Sequence, residues 1–375
     1  MKVVFTGGGT AGHILPIIAV TREIKRSYSK EDLRFCYIGP KDRFSATLFS
    51  KENIKLKSVL SGKIRRYINI KTIFQNLIDI LKIPIGIIQA FFYIFFLFPD
   101  LIFSKGGYGS IPVVIAGWIL RVPIFLHESD VSPGFANRIL SRFALEIFIS
   151  FPVQKTEYFS PKKLISAGNP IRTEILEGSS EIAKKIFSLT GIKPVILVLG
   201  GSQGAQRVND LLLAILPQLL QNFELIHQCG QKNFKTIEAE SKVVMPEDLK
   251  IYYHLFSFLS ELELKNAYKA ASLVVSRAGS GTIFEIAACQ IPSILIPLPE
   301  SAQNHQVKNA YLYAERRACI VIEEDNLTPH FFLEKLKYLF SHPQELEKMG
   351  EGAKDFARPK AAKIITEYIM SYLFG

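Results

Sequence analysis

His13, near the start of the chain, is a candidate proton acceptor. His13 follows the run Gly-Gly-Gly-Thr-Ala-Gly at residues 7–12, and the apolar residues after it have helical spacing. The N-terminal end of a helix lowers the pKa of an imidazole and favours the neutral ring that a general base needs. A single histidine more often packs against or caps a helix, so both interpretations of His13 stay open at this point.

Glu285 also has two interpretations. Thr282 and Glu285 are three residues apart at the start of a predicted helix. This is the spacing of a capping box, in which the carboxylate accepts a backbone N–H at the helix start. Alternatively, an acidic side chain just after a strand of a nucleotide-binding fold accepts the two hydroxyl groups of a ribose.

Arg172 and the Asn-His-Gln cluster at residues 304–306 are the remaining polar candidates. Arg172 follows Gly168-Asn169-Pro170, where the helix and strand pattern breaks, and it can form a salt bridge or meet a diphosphate. The cluster is either a solvated loop or a set of hydrogen-bonding groups for the hydroxyls of a sugar. The sequence contains no Ser/His/Asp set, no metal-ligand spacing and no P-loop.

The unit that positions His13 is a strand, a tight turn and a helix, and the chain contains it twice. The first copy is residues 2–28, and the second has an apolar strand at 193–199, Gly200-Gly201-Ser202-Gln203-Gly204 as its turn and a helix at 209–220. Glycines allow close approach to a ligand, and helix N–H groups attract phosphate. Because the unit occurs twice, two similar lobes in tandem are predicted. The first turn lacks the G-x-G-x-x-G spacing of an NAD-dependent oxidoreductase, which argues against that activity.

Further strand ends carry glycine or polar residues. The strands at 100–104, 122–127 and 271–276 run into Lys105-Gly106-Gly107-Tyr108, Glu128-Ser129-Asp130 and Arg277-Ala278-Gly279-Ser280. Strand–loop–helix units in series predict a parallel sheet, and ligands gather at the carboxyl ends of its strands. The predicted fold class is therefore α/β.

The excess of positive over negative charge is confined to the first half of the chain. The 375 residues have a net charge of +11, and 48% are hydrophobic, enough for two or three domains with a core. Residues 1–170 contain 23 Lys and Arg against 11 Asp and Glu (+12), whereas the rest contain 22 against 23 (−1). This asymmetry indicates an anionic partner, a membrane surface or a nucleic acid. No nucleic-acid-binding module is recognised, and four scattered cysteines predict no zinc site.

Residues 63–98 combine basic side chains with a long apolar run. Five basic residues and one acidic residue lie between positions 63 and 82, and residues 83–98 are almost purely apolar. As a helix, residues 83–98 would span about 24 Å, short of the roughly 30 Å hydrocarbon core, and Pro84, Gly86 and Gln89 interrupt them. The sequence therefore predicts no transmembrane span. A buried core helix or an interfacial helix remains, and aromatic residues beside basic ones favour membrane contact.

Seven motifs in this order resemble the MurG family, the bacterial undecaprenyldiphospho-muramoylpentapeptide β-N-acetylglucosaminyltransferases of peptidoglycan synthesis. The resemblance runs from residue 3 to the C-terminal helix. The motifs are Thr10-Ala11-Gly12-His13, Gly106-Gly107-Tyr108, His127-Glu128, Gly168-Asn169-Pro170-Ile171-Arg172, Gly200-Gly201-Ser202-Gln203-Gly204, Arg277-Ala278-Gly279-Ser280 with Glu285, and Asn304-His305-Gln306.

The resemblance implies a GT-B fold, with two Rossmann-like lobes whose parallel sheets face each other across a cleft. The implied lobes are residues 1–165 on the acceptor and membrane side and 166–355 on the donor side, and a helix at 356–375 packs back toward the first lobe. The implied reaction is inverting transfer of N-acetylglucosamine from UDP-GlcNAc to the C4 hydroxyl of lipid I, giving lipid II, with no cofactor or protein-held metal. Residues 63–98 would dock the enzyme peripherally on the cytoplasmic face of the cell membrane, where it would serve cell shape and division.

The resemblance also assigns residues to the substrates. The loop at 10–12 and His13 would face the diphosphate and the acceptor. Arg172 and Ser202 would bind the diphosphate, and Gly281 and Thr282 would bind phosphate. Leu259 would contact the uracil, Glu285 would bind the ribose, and His305 and Gln306 would bind the hydroxyls of GlcNAc. Tyr108, in the second motif, and Asn209, at the start of the predicted helix after the Gly200–Gly204 turn, would also contact substrate.

The pair Ser129-Asp130 departs from the family pattern, which more often has Gln-Asn after the His-Glu pair. Asp130 can accept hydrogen bonds from the same sugar hydroxyls, or it can be the base. The base is therefore His13 or Asp130, and His13 is favoured. Two other activities of the same fold class compete: transfer of a sugar to diacylglycerol, giving a glycolipid, and nucleotide-sugar epimerisation, which would not use an apolar, basic membrane face.

Overall fold

The chain folds into two compact units. A computed structural model describes residues 1–29, 32–63, 70–152, 158–201 and 204–374. Unit 1 comprises Met1–Arg172 and Pro359–Gly375, and unit 2 comprises Thr173–Arg358. The sequence analysis places the boundaries after residues 165 and 355, a few residues before those of the structure.

Unit 1 contains a parallel sheet of seven strands with helices between them. The strands are β1 (Lys2–Thr6), β2 (Arg34–Gly39), β3 (Lys55–Ser58), β4 (Leu101–Ser104), β5 (Ile124–Glu128), β6 (Glu146–Ile149) and β7 (Leu164–Ser166). The helices are α1 (Ala11–Ser27), α2 (Arg43–Lys51), α3 (Ile70–Leu97), α4 (Ile111–Ile119) and α5 (Phe135–Leu140). The strand order is β3-β2-β1-β4-β5-β6-β7. The order reverses between β1 and β4, and a ligand crevice is expected at the carboxyl ends of these two strands.

Unit 2 repeats the plan with six parallel strands. They are β8 (Val195–Leu199), β9 (Glu224–Gln228), β10 (Tyr253–Phe256), β11 (Ala271–Ser276), β12 (Ser293–Leu295) and β13 (Cys319–Val321), in the order β10-β9-β8-β11-β12-β13. The helices are α6 (Ser180–Phe187), α7 (Gln206–Asn222), α8 (Phe234–Val244), α9 (Glu261–Ala270), α10 (Ser280–Ala288), α11 (His305–Ala314), α12 (Pro329–Ser341) and α13 (Pro343–Phe356). The switch point lies between β8 and β11.

The central strand of unit 1 shows why these sequences form parallel sheets. In β1, Val3 and Phe5 are buried in one cluster with Ile17 of α1, whereas Val4 is buried in a second cluster with Ile94 of α3. Both faces of the sheet are covered by helices, so the strand is continuously apolar instead of alternating with polar residues.

The last helix of the chain belongs to unit 1. α14 (Ala361–Phe374) packs against α1, and Ile365, Ile369 and Met370 are buried with the residues of α1 and β1. The ring of Tyr368 meets Phe148 of β6 edge-on at 5.6 Å. The chain therefore returns to its first sheet after completing unit 2.

The helix α3 is longer than the sequence analysis predicts. It contains 28 residues and continues through Pro84 and Gly86, so it spans about 42 Å. The length argument against a membrane span was therefore wrong, because residues 74–97 are long and apolar enough to cross a membrane. Gly86 does not break the helix: a Cβ atom there would lie 1.9 Å from the carbonyl oxygen of Leu60. Its role is close packing, and α3 also packs along α4.

Candidate active site

Two glycine loops enclose the ring of His13. β1 ends in a glycine triplet and the neighbouring β4 runs into Gly106 and Gly107, at the switch point of the unit 1 sheet. A Cβ atom built on Gly8 would lie 3.0 Å from His13 Nδ1, and one built on Gly107 would lie 3.1 Å from Nε2. Gly107 also has a φ of +80°, which other residues rarely adopt. Glycine is therefore needed on both sides of the imidazole.

The imidazole of His13 is oriented by one hydrogen bond and is neutral near pH 7. Nδ1 lies 2.9 Å from Thr10 Oγ1, and Nε2 has no hydrogen-bond partner in the part of the chain that the structure describes. Burial, followed by the positive charge of Lys105, lowers the pKa of His13 to about 4, and Asp130 opposes this. When Nδ1–H donates to Thr10, the lone pair of Nε2 can accept a proton.

The loop before α1 leaves the start of that helix without a side-chain cap. Thr10 is the N-cap residue, but its hydroxyl bonds the ring of His13 instead of a backbone N–H. The first turn, with Ala11 and Gly12, contains no acidic side chain, and Thr10 and Gly12 are exposed. Tyr108 follows the second glycine loop and is half-buried. An anion can therefore reach the first N–H groups of α1.

Glu128, the last residue of β5, fixes the loop that carries Asp130. Its carboxylate accepts hydrogen bonds from Asp130 N at 2.9 Å, Gly134 N at 3.2 Å and Asn137 Nδ2 at 2.7 Å. Burial and the nearby Asp130 raise the pKa of Glu128 to about 7, and the bonds from Asp130 N and Asn137 oppose that rise. Asp130 is half-buried, and its charge acts on His13.

Lys105 is a residue of this site that the sequence analysis missed. It follows β4 and is 2% exposed, and its Nζ lies 2.6 Å from His127 Nδ1 and 3.3 Å from Asn169 Oδ1. It also donates a hydrogen bond to Ser129 Oγ. A lysine at a strand end, directly before a pair of glycines, was the available signal.

Two residues that the resemblance assigns to substrates are buried. Arg172, the last residue of the first segment of unit 1, is 7% exposed. Asn209 lies in α7 with no exposure; its Nδ2 donates to Cys229 O at 3.1 Å, and its Oδ1 lies 3.0 Å from His227 Nε2. The amide of Asn209 is thus occupied within unit 2, where it ties α7 to β9.

The strand ends of β8 and β10 carry two further predicted residues. Ser202, in the turn after β8, lies outside the described residues, between Gly201 and Gly204, which both have positive φ. Leu259 follows β10 and is 2% exposed, and its backbone N–H donates to Gln228 Oε1 at 3.1 Å.

α10 begins earlier than the capping-box interpretation requires. Its N-cap residue is Gly279, which has no capping side chain, so Thr282 lies in the first turn and the predicted capping box with Glu285 is wrong. Gly281 and Thr282 are half-buried in that turn. Glu285 is 8% exposed and accepts a hydrogen bond from the Tyr268 hydroxyl at 3.2 Å. The uncapped helix start can bind a phosphate.

Two residues in the left-handed region directly precede α11. Gln303 and Asn304 have φ values of 61° and 54°, each costing roughly 1–3 kcal/mol, and such strain is typical of functional sites. His305 Nδ1 lies 2.7 Å from Ala302 O, and Gln306 Oε1 accepts from the N–H of Leu298 at 3.0 Å. Both predicted sugar-binding residues are thereby held at the start of the helix.

The structure therefore places most of the described candidate residues directly after strands of their own unit. In unit 1, Thr10, His13, Tyr108 and Asp130 follow β1, β4 and β5. In unit 2, the described candidates follow β10, β11 and β12, except for Asn209, which lies in α7. Arg172 follows β7 and is not part of the first group. The described residues include no group of three or more His, Cys, Asp or Glu that could hold a metal ion.

Family models match both units of the chain. The model described as glycosyltransferase family 28 N-terminal domain matches residues 3–149, and that described as glycosyltransferase family 28 C-terminal domain matches residues 195–365.

Individual relatives are similar along nearly the whole chain. UDP-N-acetylglucosamine–N-acetylmuramyl-(pentapeptide) pyrophosphoryl-undecaprenol N-acetylglucosamine transferase 2 of Bacillus thuringiensis is 38% identical, with 99% of each chain covered. The corresponding transferase of Clostridium tetani, described without the number 2, is 36% identical over 92% of each chain.

Among solved structures, MurG of Acinetobacter baumannii has a TM-score of 0.73 at 24% identity over 99% of both chains. The UDP-GlcNAc 2-epimerase of Neisseria meningitidis, bound to UDP-GlcNAc, has a TM-score of 0.66 at 15% identity, with 99% of this chain and 100% of the epimerase covered. These likenesses show the fold, which is the GT-B class of two Rossmann-like units.

Proposed function

The chain belongs to the family of UDP-N-acetylglucosamine–N-acetylmuramyl-(pentapeptide) pyrophosphoryl-undecaprenol N-acetylglucosamine transferases, and on that premise we propose how it transfers the sugar. The donor is UDP-GlcNAc, the acceptor is the C4 hydroxyl of the muramoyl sugar of lipid I, and the product is lipid II. The observation that carries the catalytic proposal is the neutral ring of His13, held by Thr10 between two glycine loops.

The transfer is a single displacement with His13 as general base. Nε2 of His13 accepts the proton of the acceptor hydroxyl while the oxygen attacks C1 of N-acetylglucosamine. The bond between C1 and the phosphate oxygen breaks, and UDP leaves with the electron pair, so the linkage inverts from α to β. Asp130, whose backbone Glu128 fixes, accepts hydrogen bonds from sugar hydroxyls in this proposal.

The donor is assigned to unit 2. The uncapped start of α10, with Gly281 and Thr282, suits the diphosphate, and Glu285 suits the ribose. His305 and Gln306 at the start of α11 suit the hydroxyls of N-acetylglucosamine. Ser202 completes the proposed diphosphate contacts of unit 2, and the segment at Leu259 is the proposed uracil contact. Arg172, the last residue of the first segment of unit 1, is a proposed diphosphate contact outside unit 2.

We also propose that α3 docks the enzyme on the cytoplasmic membrane face that holds lipid I. Large apolar side chains are exposed along its whole length, and Trp118 and Ile119 of the adjacent α4 are 55% and 50% exposed. Lys63, just before the helix, is exposed, whereas Arg65 and Arg66 lie outside the described residues. Because α3 also packs along α4, peripheral docking fits better than a span. Through its supply of lipid II, the enzyme would serve cell shape and division.

A transfer assay tests the function. The protein receives radiolabelled UDP-GlcNAc together with either a lipid I analogue or diacylglycerol, and the lipid products are separated. Label in the lipid I analogue alone is expected. Label in diacylglycerol alone would contradict the proposed acceptor but keep the donor, and binding of UDP-GlcNAc without transfer to either lipid would contradict the proposed reaction.

A further inference from the structure

Lys105 is a buried lysine whose direct partners are neutral. Its hydrogen-bond partners in the described residues are His127, Ser129 and Asn169, and none of the carboxylates in that part of the chain forms an ion pair with it within 4.0 Å. Burying a charge without an adjacent counter-charge is costly, and a hydrophobic side chain of similar volume would avoid the cost. Packing alone therefore does not explain why a lysine is buried at this position.

The surroundings of Lys105 are built to accept hydrogen bonds from an ammonium group. His127 Nε2 lies 3.1 Å from the carbonyl oxygen of Gly168, which requires the proton on Nε2 and leaves the Nδ1 lone pair for Lys105. With Ser129 Oγ and Asn169 Oδ1, the three N–H donors of the ammonium have three acceptors. Because Ser129 directly precedes Asp130, this bond fixes the loop that carries the second candidate base.

Lys105 is also a close neighbour of His13. A Cβ atom built on Gly7 would lie 3.3 Å from the Cβ atoms of both His13 and Lys105, so the two side chains leave the backbone on either side of one glycine. The backbone N–H of Lys105 donates to Thr6 O at 2.8 Å, which fixes the loop after β4 against β1.

We propose that Lys105 is a positioning residue for the transfer: its ammonium group anchors the Ser129–Asp130 loop and places a titratable positive charge beside the imidazole of His13. The second part rests on the proposed role of His13 as base. Lys105 thus supplies the positive charge that accompanies the acid at position 130, where the family more often has an amide.

The order of titration supports this role. Burial lowers the pKa of Lys105 to about 7, opposed by Glu128 and Asp130, whereas the pKa of His13 is about 4. As the pH falls, Lys105 therefore gains its charge before His13 titrates, and that charge opposes protonation of the base. The other titratable groups on the elements around His13 are Tyr37, Asp42, Tyr108, His127 and Glu128.

The test measures the titration of His13 directly in the full-length protein. Carbon-13-labelled histidine gives a ring signal for each histidine, and His13→Ala identifies the signal of His13. In Lys105→Gln, whose amide can still donate hydrogen bonds but has no charge, the pKa of His13 is expected to rise by about one unit. The acid limb of kcat is expected to move to higher pH by the same amount. Asp130→Asn is expected to shift the pKa in the opposite direction.

Two controls separate charge from structure. Ser129→Ala removes one partner of Lys105 without removing charge and is expected to shift the titration of His13 by less than Lys105→Gln does. Lys163→Met removes a positive charge whose Nζ bonds Ala144 O elsewhere in unit 1 and is expected to leave the titration of His13 unchanged. Lys105→Met is the second neutral variant if the glutamine variant does not fold. An unchanged pKa of His13 in a folded neutral variant would overturn the proposal, whereas full activity of His13→Ala would overturn the base assignment alone.

Discussion

At the scale of single residues, the site in unit 1 is organised around one neutral ring. Thr10 orients His13, and glycines on both sides leave room for it. The same sheet edge carries the carboxylate of Asp130. The loop of Asp130 is anchored because Glu128 accepts a hydrogen bond from Asp130 N and Lys105 donates one to the hydroxyl of Ser129. An oriented ring with a free Nε2 is suited to proton transfer, and an anchored carboxylate is suited to holding hydroxyls.

The two candidate bases can be distinguished by their kinetic effects. We expect His13→Ala to lower kcat by at least about a hundredfold, the range in which general bases act, while the affinity for UDP-GlcNAc stays unchanged because the proposed donor contacts do not include His13. Asp130→Asn is expected to raise the KM for the lipid I analogue more than it lowers kcat. His330→Ala, which removes an exposed histidine of α12, is the control. A larger loss of kcat in the Asp130 variant would make Asp130 the base.

Residue type and position predicted much of this site, but not the burial and the hydrogen-bond partners of each side chain. His13 and the glycine loops lie where the spacing suggested. Lys105 was missed because its importance depends on strands β4 and β5 lying side by side, which local spacing does not reveal. Asn209 was expected to contact substrate, yet its amide is occupied by His227 and Cys229 O. Burial and partner choice depend on tertiary packing, and no local pattern encodes them.

At the scale of elements, the apolar strands and glycine turns were predicted well, and helix boundaries less well. The capping-box spacing of Thr282 and Glu285 did not mark the start of α10, because the backbone turns into the helix at Gly279, three residues before Thr282. Pro84 and Gly86 were taken as interruptions of α3. Instead the helix continues, since tertiary contacts along α4 and at Leu60 outweigh local propensity.

The exposed face of α3 is expected to bind membranes. Phe92, Phe95 and Phe96 are 53%, 44% and 76% exposed, so replacing all three with serine should weaken binding to vesicles of anionic lipid by at least tenfold without unfolding the protein. A matched control replaces Ile192 and Val243, which are 76% and 86% exposed in unit 2, with serine. Cosedimentation with vesicles measures binding, and circular dichroism checks the fold. Equal vesicle binding by the triple variant and the wild type would contradict the assignment of this face of α3 to membrane binding.

At the scale of the whole molecule, each unit has its own sheet and core, and the chain crosses between units twice. The first crossing follows Arg172, and the second precedes Pro359. The consequence is that the stability of unit 1 depends on a helix that follows unit 2 in the chain. The core of unit 2 forms from one continuous segment, Thr173–Arg358, which contains all six strands of its sheet.

This connectivity predicts which unit a change in α14 destabilises. Ile365 and Ile369 are fully buried against α1, and truncating such a side chain to alanine typically costs about 2–5 kcal/mol. In Ile369→Ala we expect the amides of β1, β4 and β5 to exchange hydrogen faster, whereas those of β8, β9 and β11 keep their rates, because the lost contacts lie within unit 1. Lys363→Ala changes an exposed residue of the same helix and should alter neither set. Hydrogen exchange followed by mass spectrometry measures both sheets in one experiment. Equal acceleration in the two sheets would mean that the units unfold as one body, and no acceleration in unit 1 would mean that α14 contributes little to its core.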